Sequence, residues 1–288
     1  MAKKTGCYPV TIRVENYEHK LAKVSRAPRS DVRHLLAYCL SCSAAEIRPE
    51  MSVSAQQYQQ FDRLFARCVQ GEPLAYVIGE WDFWGITLHL RPGVLIPRAD
   101  TECLVEAVLQ RCDRHSPLRV VDCGTGSGAI ALALATECPN WRILGIDKQM
   151  DCVACAQENS NRLELPPSQV SFVHQDWERL ASEPGPAFDI MVANPPYIAE
   201  GDDEVDAQVD QYESHESLYS PESGYAHVHS LVALAQHVVM PGGRLFFEHG
   251  YRQGEKVRSM LQQRGFSLIA TITDLSGKER VTTAVLPL

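Results

Sequence analysis

One segment of this 288-residue chain constrains its fold most strongly: an apolar strand pattern that runs through a glycine-rich loop into an apolar helix pattern. The strand pattern covers residues 118–123 and the helix pattern covers residues 129–135. The loop between them is Gly124-Thr125-Gly126-Ser127-Gly128. Glycines let a bound molecule approach the backbone closely, and a helix N-terminus presents unpaired N–H groups. The segment therefore predicts a cofactor-binding loop within an α/β fold.

The glycine loop alone does not identify the cofactor. With Ala129 it satisfies the relaxed dinucleotide pattern Gly-x-Gly-x-x-Ala, and it fits an S-adenosylmethionine site equally well. Asp147 ends the next strand pattern, residues 141–147, and is placed to hold a ribose in either case. The loop is therefore compatible with both a nicotinamide enzyme and a methyltransferase.

Strand and helix patterns alternate through the second part of the chain. The predicted strands are residues 118–123, 141–147, 170–176, 188–193 and 243–248. Such alternation predicts a mostly parallel sheet that is covered by helices on both faces. Two further strand patterns, residues 266–274 and 280–286, are joined by a short turn and predict a closing antiparallel hairpin.

The chain ahead of the glycine loop shows other periodicities. Up to about residue 70, apolar residues recur at helical spacing, which predicts a small helical domain. Between about residues 74 and 97, alternating segments such as Tyr76-Val77-Ile78, residues 82–90 and Val94-Leu95-Ile96 predict a β-hairpin connector.

The residues Asn194-Pro195-Pro196-Tyr197, here called the tetrapeptide, directly follow a predicted strand. Two prolines remove two backbone donors and fix φ, so the chain leaves the sheet in a rigid turn. The Pro195 carbonyl and the Asn194 side-chain carbonyl can accept both hydrogens of a planar NH2 group, while Tyr197 offers a flat face. For an isolated tetrapeptide, a turn that merely ends a strand is the alternative. Together with the glycine loop, it favours an amino methyltransferase, because a dehydrogenase has no use for an amine pocket beside its cofactor.

With both motifs in register, the chain resembles the Asn-Pro-Pro-Tyr class of S-adenosylmethionine-dependent amino methyltransferases. Three stretches narrow the resemblance to the HemK-type release-factor glutamine methyltransferases. They are residues 71–79 (GEPLAYVIG), Phe83-Trp84-Gly85 and residues 94–102 (VLIPRADTE). Asp100-Thr101-Glu102 favours the release-factor branch over the related enzyme that acts on a ribosomal protein. The resemblance extends from about residue 20 to the C-terminus.

The resemblance implies a Rossmann-like class I methyltransferase fold, with a seven-stranded sheet that has one antiparallel strand near its edge. It implies S-adenosylmethionine as the cofactor. The implied acceptor is the glutamine of the Gly-Gly-Gln motif in class I peptide chain release factors, which becomes N5-methylglutamine. The implied domains are an N-terminal helical substrate-recognition domain (1–73), a β-hairpin linker (74–98) and a methyltransferase domain (99–288) that opens with a helix from about Thr101 to Cys112.

Within this frame the candidate site residues take roles. Asn194, Pro195, Pro196 and Tyr197 are expected to bind the substrate amide and to catalyse methyl transfer, and Asn194 also to face the cofactor. Gly124, Thr125, Gly126, Ser127 and Gly128 are expected to line the methionine moiety.

The ribose and the adenine of the cofactor are assigned to the next two strands. Asp147 is expected to accept the ribose hydroxyls. Asp176 and Trp177 follow the third strand, where the adenine would lie, and core packing is the alternative for Trp177. The polar stretch from Ala199 to Tyr219 is expected to be a mobile loop near the substrate.

Three other functions stay open. An enzyme that methylates an exocyclic amino group of DNA or RNA would use the same pair of acceptors and would stack a flipped base on Tyr197. A ribosomal-protein glutamine is disfavoured only by residues 100–102. A non-catalytic S-adenosylmethionine-binding or release-factor-binding module is disfavoured by the intact tetrapeptide.

Charge is unevenly distributed along the chain. Residues 1–50 hold nine Lys or Arg against five Asp or Glu, so this part carries +4 and the remainder −13 of the overall −9. An acidic catalytic domain argues against duplex DNA, because phosphate neutralisation needs a basic surface. We therefore expect a protein substrate and no direct nucleic-acid partner. The basic part is either a surface for an acidic partner or an ordinary solvated helix surface.

Location and assembly follow from composition. No run of about 18 apolar residues and no apolar leader pattern occurs, so a soluble, cytoplasmic protein without membrane contact is expected. Nothing in the sequence demands a dimer, and a monomer is expected.

Ten cysteines are scattered through the apolar patterns of a large chain, which predicts reduced thiols. The pairs Cys39–Cys42 and Cys152–Cys155 have half-site spacing for zinc. Both lie in helical patterns far apart and without histidine at ligand spacing, so we expect no metal site and buried thiols instead.

Overall fold

The computed structural model describes residues 10–182, 187–202 and 207–288. The chain forms two compact units. The first unit runs to Glu80 and also takes in the short helix Ala207–Tyr212, and the second unit comprises the rest.

The first unit combines helices with a small antiparallel ladder. Its elements up to residue 78 are β1 (Val10–Arg13), α1 (Glu15–Leu21), α2 (Pro28–Leu40), β2 (Glu50–Val53), α3 (Ala55–Val69) and α4 (Leu74–Ile78). A capping box starts α3, since the Gln57 N–H donates to Ser54 Oγ (3.2 Å) and the Ser54 N–H donates to Gln57 Oε1 (2.9 Å). Phe61 and Phe65 of α3 stack at 5.5 Å, and the edge of Tyr17 packs on both rings.

Two predictions for the connector are wrong at the residue level. Tyr76-Val77-Ile78 belongs to the helix α4 rather than to a strand. The pattern misleads here because residues 74–77 are all buried, so no polar face marks the helix period. Val94-Leu95-Ile96 forms no strand. The predicted hairpin itself is present as β3 (Glu80–Phe83) and β4 (Ile86–His89). The pairing of β1 with β2 is not predicted by the helical periodicity of this region.

The second unit continues with the alternating strands and helices. In chain order they are α5 (Glu102–Arg111), β5 (Arg119–Cys123), α6 (Ala129–Glu137), β6 (Arg142–Asp147), α7 (Met150–Arg162), β7 (Val170–His174), α8 (Trp177–Leu180), β8 (Phe188–Ala193), α9 (Ala207–Tyr212, part of the first unit), α10 (His215–Leu218), α11 (Pro221–Gly224), α12 (Ala226–Val238), β9 (Val239–Glu248), α13 (Gly254–Gln263), β10 (Ser267–Thr273) and β11 (Glu279–Val285).

A seven-stranded sheet with the order β10-β11-β9-β8-β5-β6-β7 forms the centre of this unit. The strands β5 to β9 pair in parallel, and β11 runs antiparallel between β9 and β10. The predicted class I methyltransferase sheet is therefore confirmed, including its antiparallel strand one position in from the edge.

Helices cover both faces of the sheet. Val120 of β5 belongs to one buried cluster with α5 and α6, whereas its neighbour Val121 belongs to a second cluster with α12 and α13. Successive side chains of a strand point to opposite faces, so the central strands β5 and β8 are buried on both sides and read as continuous apolar runs, whereas the edge strand β7 is partly exposed. Among the described residues, no helix combines the length and the apolar character needed to cross a bilayer.

Gly145 of β6 is a position where the sheet accepts no side chain. A Cβ there would lie 2.5 Å from a ring carbon of Phe172 and 2.8 Å from Thr125 Oγ1. We expect Gly145→Ala to lower the free energy of unfolding by about 1–3 kcal/mol through overpacking. Urea denaturation followed by tryptophan fluorescence measures it, because all four tryptophans lie at or after residue 81, in the second unit.

Phe172→Leu supplies the matched background for this test. Because Leu removes the ring that lies closest to the new methyl group, the cost of Gly145→Ala should be smaller in the Phe172→Leu protein. An equal cost in both backgrounds would show that Phe172 is not the source of the strain.

Candidate active site

The loops that follow β5, β6 and β8 meet at one edge of the sheet, because the carboxyl ends of parallel strands lie side by side. They border a cleft in the second unit. Its lining includes Leu95, Gly124, Gly126, Asp147, Gln149, Trp177, Asn194, Pro196, Ser217 and His227. The structure thus brings together two loop glycines, the predicted ribose carboxylate, Trp177 and two residues of the tetrapeptide, Asn194 and Pro196, whereas Tyr197 lines a separate cavity.

Glycines 126 and 128 have different functions in the loop. Gly126 has φ +57°, and a Cβ there would meet nothing within 4 Å, so the backbone is open toward the cleft. Gly128 has φ +83° and immediately precedes α6, and a Cβ there would lie 3.0–3.2 Å from Leu132, Ala156 and Phe172. The first glycine leaves room for a ligand, and the second allows α6 to pack closely on its neighbours.

Thr125 and Ser127 are buried, in contrast to the glycines that line the cleft. The Thr125 hydroxyl donates to Asp122 Oδ2 at 2.7 Å. Burial raises the pKa of Asp122 to about 7, against the lowering effect of this hydrogen bond. The Thr125 side chain thus holds the loop to the end of β5, and neither Thr125 nor Ser127 lines the cleft.

Asp147 ends β6 and fixes the loop as well as facing the cleft. Its Oδ2 accepts from the Gly126 N–H (3.0 Å) and its Oδ1 accepts from the Gln149 N–H (2.9 Å). Burial raises the pKa of Asp147, whereas these two backbone donors lower it. Each carboxylate oxygen has a further lone pair, so the group can still accept hydrogen bonds from a ligand.

Asp176 and Trp177 open α8. Asp176 caps the helix by accepting from the Glu178 N–H at 3.0 Å. Trp177 donates its Nε1–H to Ser230 Oγ at 3.2 Å, and its ring lies 3.4 Å from the Cβ position of Gly124. Trp177 therefore packs against the second buried cluster and also lines the cleft, so the two interpretations of this residue are compatible.

The Asn194 side chain is half-buried and has a defined orientation. Its Nδ2–H donates to the hydroxyl of Thr101 at 3.1 Å. Within the part of the chain that the structure describes, no hydrogen bond ends on Asn194 Oδ1 or on the carbonyl of Pro195. The two oxygens predicted to receive an NH2 group are thus left without internal donors.

The remainder of the tetrapeptide is held from several directions. The Tyr197 hydroxyl donates to Glu248 Oε1 (3.3 Å), and the Tyr197 carbonyl accepts from Gln253 Nε2 (3.0 Å). The Pro196 carbonyl lies 3.4 Å from His227 Nδ1. Burial strongly raises the pKa of the Tyr197 hydroxyl and lowers the pKa of His227, so both groups are neutral at pH 7.

The stretch after the tetrapeptide contains more secondary structure than predicted. The helices α9 and α10 fall within the expected loop 199–219, and residues 203–206 of that prediction lie outside the described residues. Glu213, between the two helices, is buried with 1% of its side chain exposed. It accepts from Arg98 Nη2 (2.5 Å) and from the Ile96 N–H (3.3 Å).

The thiols show no sign of a metal site. The nine described cysteines are free, and no group of three or more His, Cys, Asp or Glu able to hold a metal occurs among the described residues. Burial raises the pKa of Cys39, Cys152 and Cys155, which keeps these thiols protonated.

Sequence reasoning missed three groups around the site: His227, Gln253 and Glu248. The sequence could have pointed to Glu248, because it is the acidic residue that ends the apolar strand pattern 243–248. The other two lie in or next to helices without a distinguishing motif.

The seven-stranded sheet, the open glycine loop and the unpaired acceptors beside it define the class: an S-adenosylmethionine-dependent methyltransferase with the class I fold. Comparison with known proteins agrees. Residues 97–212 match the family model described as methyltransferase small domain, and residues 14–79 match the PrmC N-terminal domain. A crystal structure of a ribosomal protein L11 methylase from Lactobacillus delbrueckii subsp. bulgaricus shares the fold, with a TM-score of 0.50 at 19% identity over 70% of this chain and 86% of that one.

Two relatives narrow the class. A release factor glutamine methyltransferase from Shewanella oneidensis is 36% identical over 265 residues, which cover 91% of each chain. The protein of the same description from Escherichia coli is 36% identical over 274 residues, covering 92% of this chain and 97% of the relative. The chain belongs to the release factor glutamine methyltransferase family.

The pair of Arg98 and Glu213 predicts an asymmetric effect on stability. Arg98→Met leaves the buried carboxylate with one N–H donor, so we expect a loss of about 3 kcal/mol or more. Glu213→Gln keeps the shape and an acceptor and leaves an Arg98 side chain that is 37% exposed, so the expected loss is about 1–2 kcal/mol. Urea denaturation followed by tryptophan fluorescence compares the two, and a larger loss in Glu213→Gln would contradict this account.

Proposed function

We propose that this chain transfers a methyl group from S-adenosylmethionine to the side-chain amide nitrogen of the glutamine in the Gly-Gly-Gln motif of class I peptide chain release factors. The product is N5-methylglutamine. The observation that carries the proposal is the pair of acceptors, Asn194 Oδ1 and the Pro195 carbonyl, which accept no internal hydrogen bond, with Asn194 lining the glycine-loop cleft. The acceptor is inferred from the relatives, which are described as release factor glutamine methyltransferases.

The cleft fits the cofactor on two counts. The backbone at Gly126 is open where a Cβ would point, which leaves space for the methionine moiety. Asp147 offers lone pairs to the two ribose hydroxyls, and the half-buried Trp177 forms a wall for the adenine. Asp176 contributes backbone contacts in this scheme, because its side chain caps α8.

S-adenosylmethionine supplies an electrophilic methyl group on a sulfonium when it is bound. The task of the protein is to align the acceptor nitrogen, at about 3–3.5 Å for in-line attack. An amide nitrogen is a poor nucleophile because its lone pair is delocalised. Hydrogen bonds from both its hydrogens to Asn194 Oδ1 and the Pro195 carbonyl favour a pyramidal nitrogen and stabilise the positive charge that develops. The proton then leaves to water, and no strong general base is needed.

The partner and the setting follow from this substrate. The first unit, with the basic surplus of residues 1–50, is the proposed recognition domain for the release factor. Within that unit, α9 is anchored by Gln208 Nε2 on the Gly71 carbonyl (2.8 Å) and by the Tyr212 hydroxyl on the Gln70 carbonyl (3.2 Å). A monomer that acts in the cytoplasm, where translation terminates, and without direct nucleic-acid contact completes the proposal.

Transfer of labelled methyl groups tests the substrate. The protein is incubated with labelled S-adenosylmethionine and, in parallel, with class I release factors, large-subunit ribosomal protein and duplex DNA, and the product is mapped by mass spectrometry. We expect the label on the Gly-Gly-Gln glutamine. Label on ribosomal protein or DNA alone would keep the chemistry and overturn the substrate.

Asn194→Ala removes one of the two acceptors. We expect the single-turnover rate to fall by about ten- to a hundredfold or more, as for the loss of a hydrogen bond made in the transition state. The affinity for S-adenosylmethionine, measured by calorimetry, should change far less. Asn161→Ala, on the exposed face of α7, is the control and should leave the rate unchanged. An unchanged rate in Asn194→Ala would exclude this side chain from the chemistry.

Asp147→Ala should mainly change the affinity for S-adenosylmethionine, whereas Asn194→Ala should mainly change the rate. Loss of the charged acceptor is expected to weaken S-adenosylmethionine binding by about ten- to a hundredfold, because a hydrogen bond to a charged group contributes about 1.5–3 kcal/mol. Isothermal titration calorimetry measures the dissociation constant. Asp151→Ala removes an exposed carboxylate at the start of α7 and serves as the control. Equal affinity in Asp147→Ala would assign the ribose to another group.

A further inference from the structure

One buried carboxamide holds the backbone at the end of the tetrapeptide. Gln253 is 9% exposed and directly precedes α13. Its Nε2–H donates to the Tyr197 carbonyl at 3.0 Å, and Nε2 also lies 3.5 Å from the carbonyl oxygen of Gly224. Its Oε1 accepts from the Gly250 N–H at 2.8 Å. The three partners belong to three separate segments of the chain, so this one side chain joins them beside the tetrapeptide.

The partners of Gln253 require a carboxamide in one orientation. Nε2 faces two carbonyl oxygens, which can only accept, and Oε1 faces an N–H group, which can only donate. A reversed amide would place acceptor against acceptor at Tyr197 and donor against donor at Gly250. The Gln253 N–H also donates to the Gly250 carbonyl at 2.8 Å, which fixes the base of the side chain.

The segment that approaches Tyr197 from another direction has an unfavourable backbone. Glu222, Ser223 and Gly224 have φ values of 55°, 56° and 89°. The left-handed region is unfavourable for residues with a side chain, and such residues cluster at functional sites, where the surrounding structure enforces them. A Cβ at Gly224 would lie 2.3 Å from the Tyr197 carbonyl oxygen and 2.8 Å from Gln253 Nε2. This turn thus places a glycine against the carbonyl that Gln253 binds.

The tetrapeptide depends on this contact because its own backbone offers few others. Pro195 and Pro196 have no N–H group, and within the described residues no hydrogen bond ends on the Pro195 carbonyl. The chain on either side therefore sets the direction of that carbonyl. On one side Ala193 is paired in the sheet, and on the other side Gln253 holds the carbonyl of Tyr197. Because proline fixes φ, a shift of the Tyr197 peptide group is passed on to the Pro195 carbonyl.

We propose that Gln253 is a positioning residue for methyl transfer: by holding the Tyr197 carbonyl, it sets the direction of the Pro195 carbonyl that receives the substrate amide. Gly224 serves the same purpose, since its lack of a side chain leaves the Tyr197 carbonyl in place. The inference rests on the proposed function, because the direction of the Pro195 carbonyl matters only if it accepts from the substrate. Gln253 does not line the glycine-loop cleft, so the affinity for S-adenosylmethionine should not depend on it.

Gln253→Met tests the positioning, because it keeps the length of the side chain and removes its hydrogen bonds. The full chain is assayed with a class I release factor. The single-turnover rate should fall by about ten- to a hundredfold. The calorimetric affinity for S-adenosylmethionine and the KM for the release factor should change by less than about threefold, as expected when an interaction matters mainly in the transition state.

Gln169→Met is the matched control for this variant. The Gln169 carboxamide also donates to two main-chain carbonyls, those of Ala135 (2.6 Å) and Cys138 (3.4 Å), but Gln169 does not line the cleft. Its replacement should lower stability to a similar degree and leave the rate unchanged. An equal loss of rate in both variants would show that Gln253 acts only through stability.

Gly224→Ala disturbs the same carbonyl from the other direction. The new methyl group would meet the Tyr197 carbonyl, so the rate should fall by about tenfold or more without a change in S-adenosylmethionine affinity. The control is Gly265→Ala, because Gly265 has φ +82° and a Cβ there would meet nothing within 4 Å. In a protein with both Gln253→Met and Gly224→Ala, the losses of rate should be less than additive, since both act on one peptide group. Fully additive losses would contradict the proposal.

A crystal structure of Gln253→Met gives a readout that does not depend on turnover. It should show the Pro195 carbonyl rotated or in more than one conformation, with the Asn194 side chain still bonded to Thr101. A Pro195 carbonyl in its wild-type orientation, or a wild-type single-turnover rate in Gln253→Met, would overturn the proposal. If Gln253→Met does not fold, the rate of Gly224→Ala relative to Gly265→Ala decides. Failure of the wild-type protein to methylate the release factor would instead overturn the proposed function.

Discussion

The parallel pairing of β5 with β6 on one side and with β8 on the other is the constraint on which the site depends. Asp122 of β5 lies opposite Gly145 of β6 and Val192 of β8, so the three strands end at the same edge within two residues of one another. The glycine loop and the tetrapeptide converge for this reason, although about 70 residues of chain separate them. The next pairing, of β8 with β9, brings in a carboxyl. The chemistry of the site is therefore assembled from strand ends, and the sheet sets their spacing.

How far the sequence predicts this structure depends on whether a feature is local. The helix expected from Thr101 to Cys112 spans Glu102–Arg111, because apolar spacing over three turns leaves little ambiguity. Residues 74–78 were predicted incorrectly since a five-residue helix buried on most sides has no polar face to reveal its period. At the site, Asn194, the glycines and Asp147 follow from motifs. The contact of Thr101 with Asn194 spans 93 residues and the contact of Tyr197 with Glu248 spans 51, so both depend on how distant segments of the chain pack together.

Carboxyls at this edge of the sheet oppose the stability of the fold. Burial raises the pKa of Glu248 from 4.5 to about 7 and the pKa of Asp122 from 3.8 to about 7. The native state therefore holds protons that the unfolded chain has already lost, and stability falls as the pH rises from about 4 to about 7.

The route of the chain between the two units has a consequence for how the protein can be divided. After the tetrapeptide, α9 is part of the first unit, and the chain returns to the second unit at Glu213. Gln208 and Tyr212 find their hydrogen-bond partners at Gln70 and Gly71. No single cut yields two complete units: a fragment that begins after residue 80 still carries α9 but lacks the carbonyls that anchor it. The two units therefore cannot be exchanged independently between relatives. A recombinant joined at residue 80 would have to keep the hydrogen bonds from α9 to the carbonyls of Gln70 and Gly71.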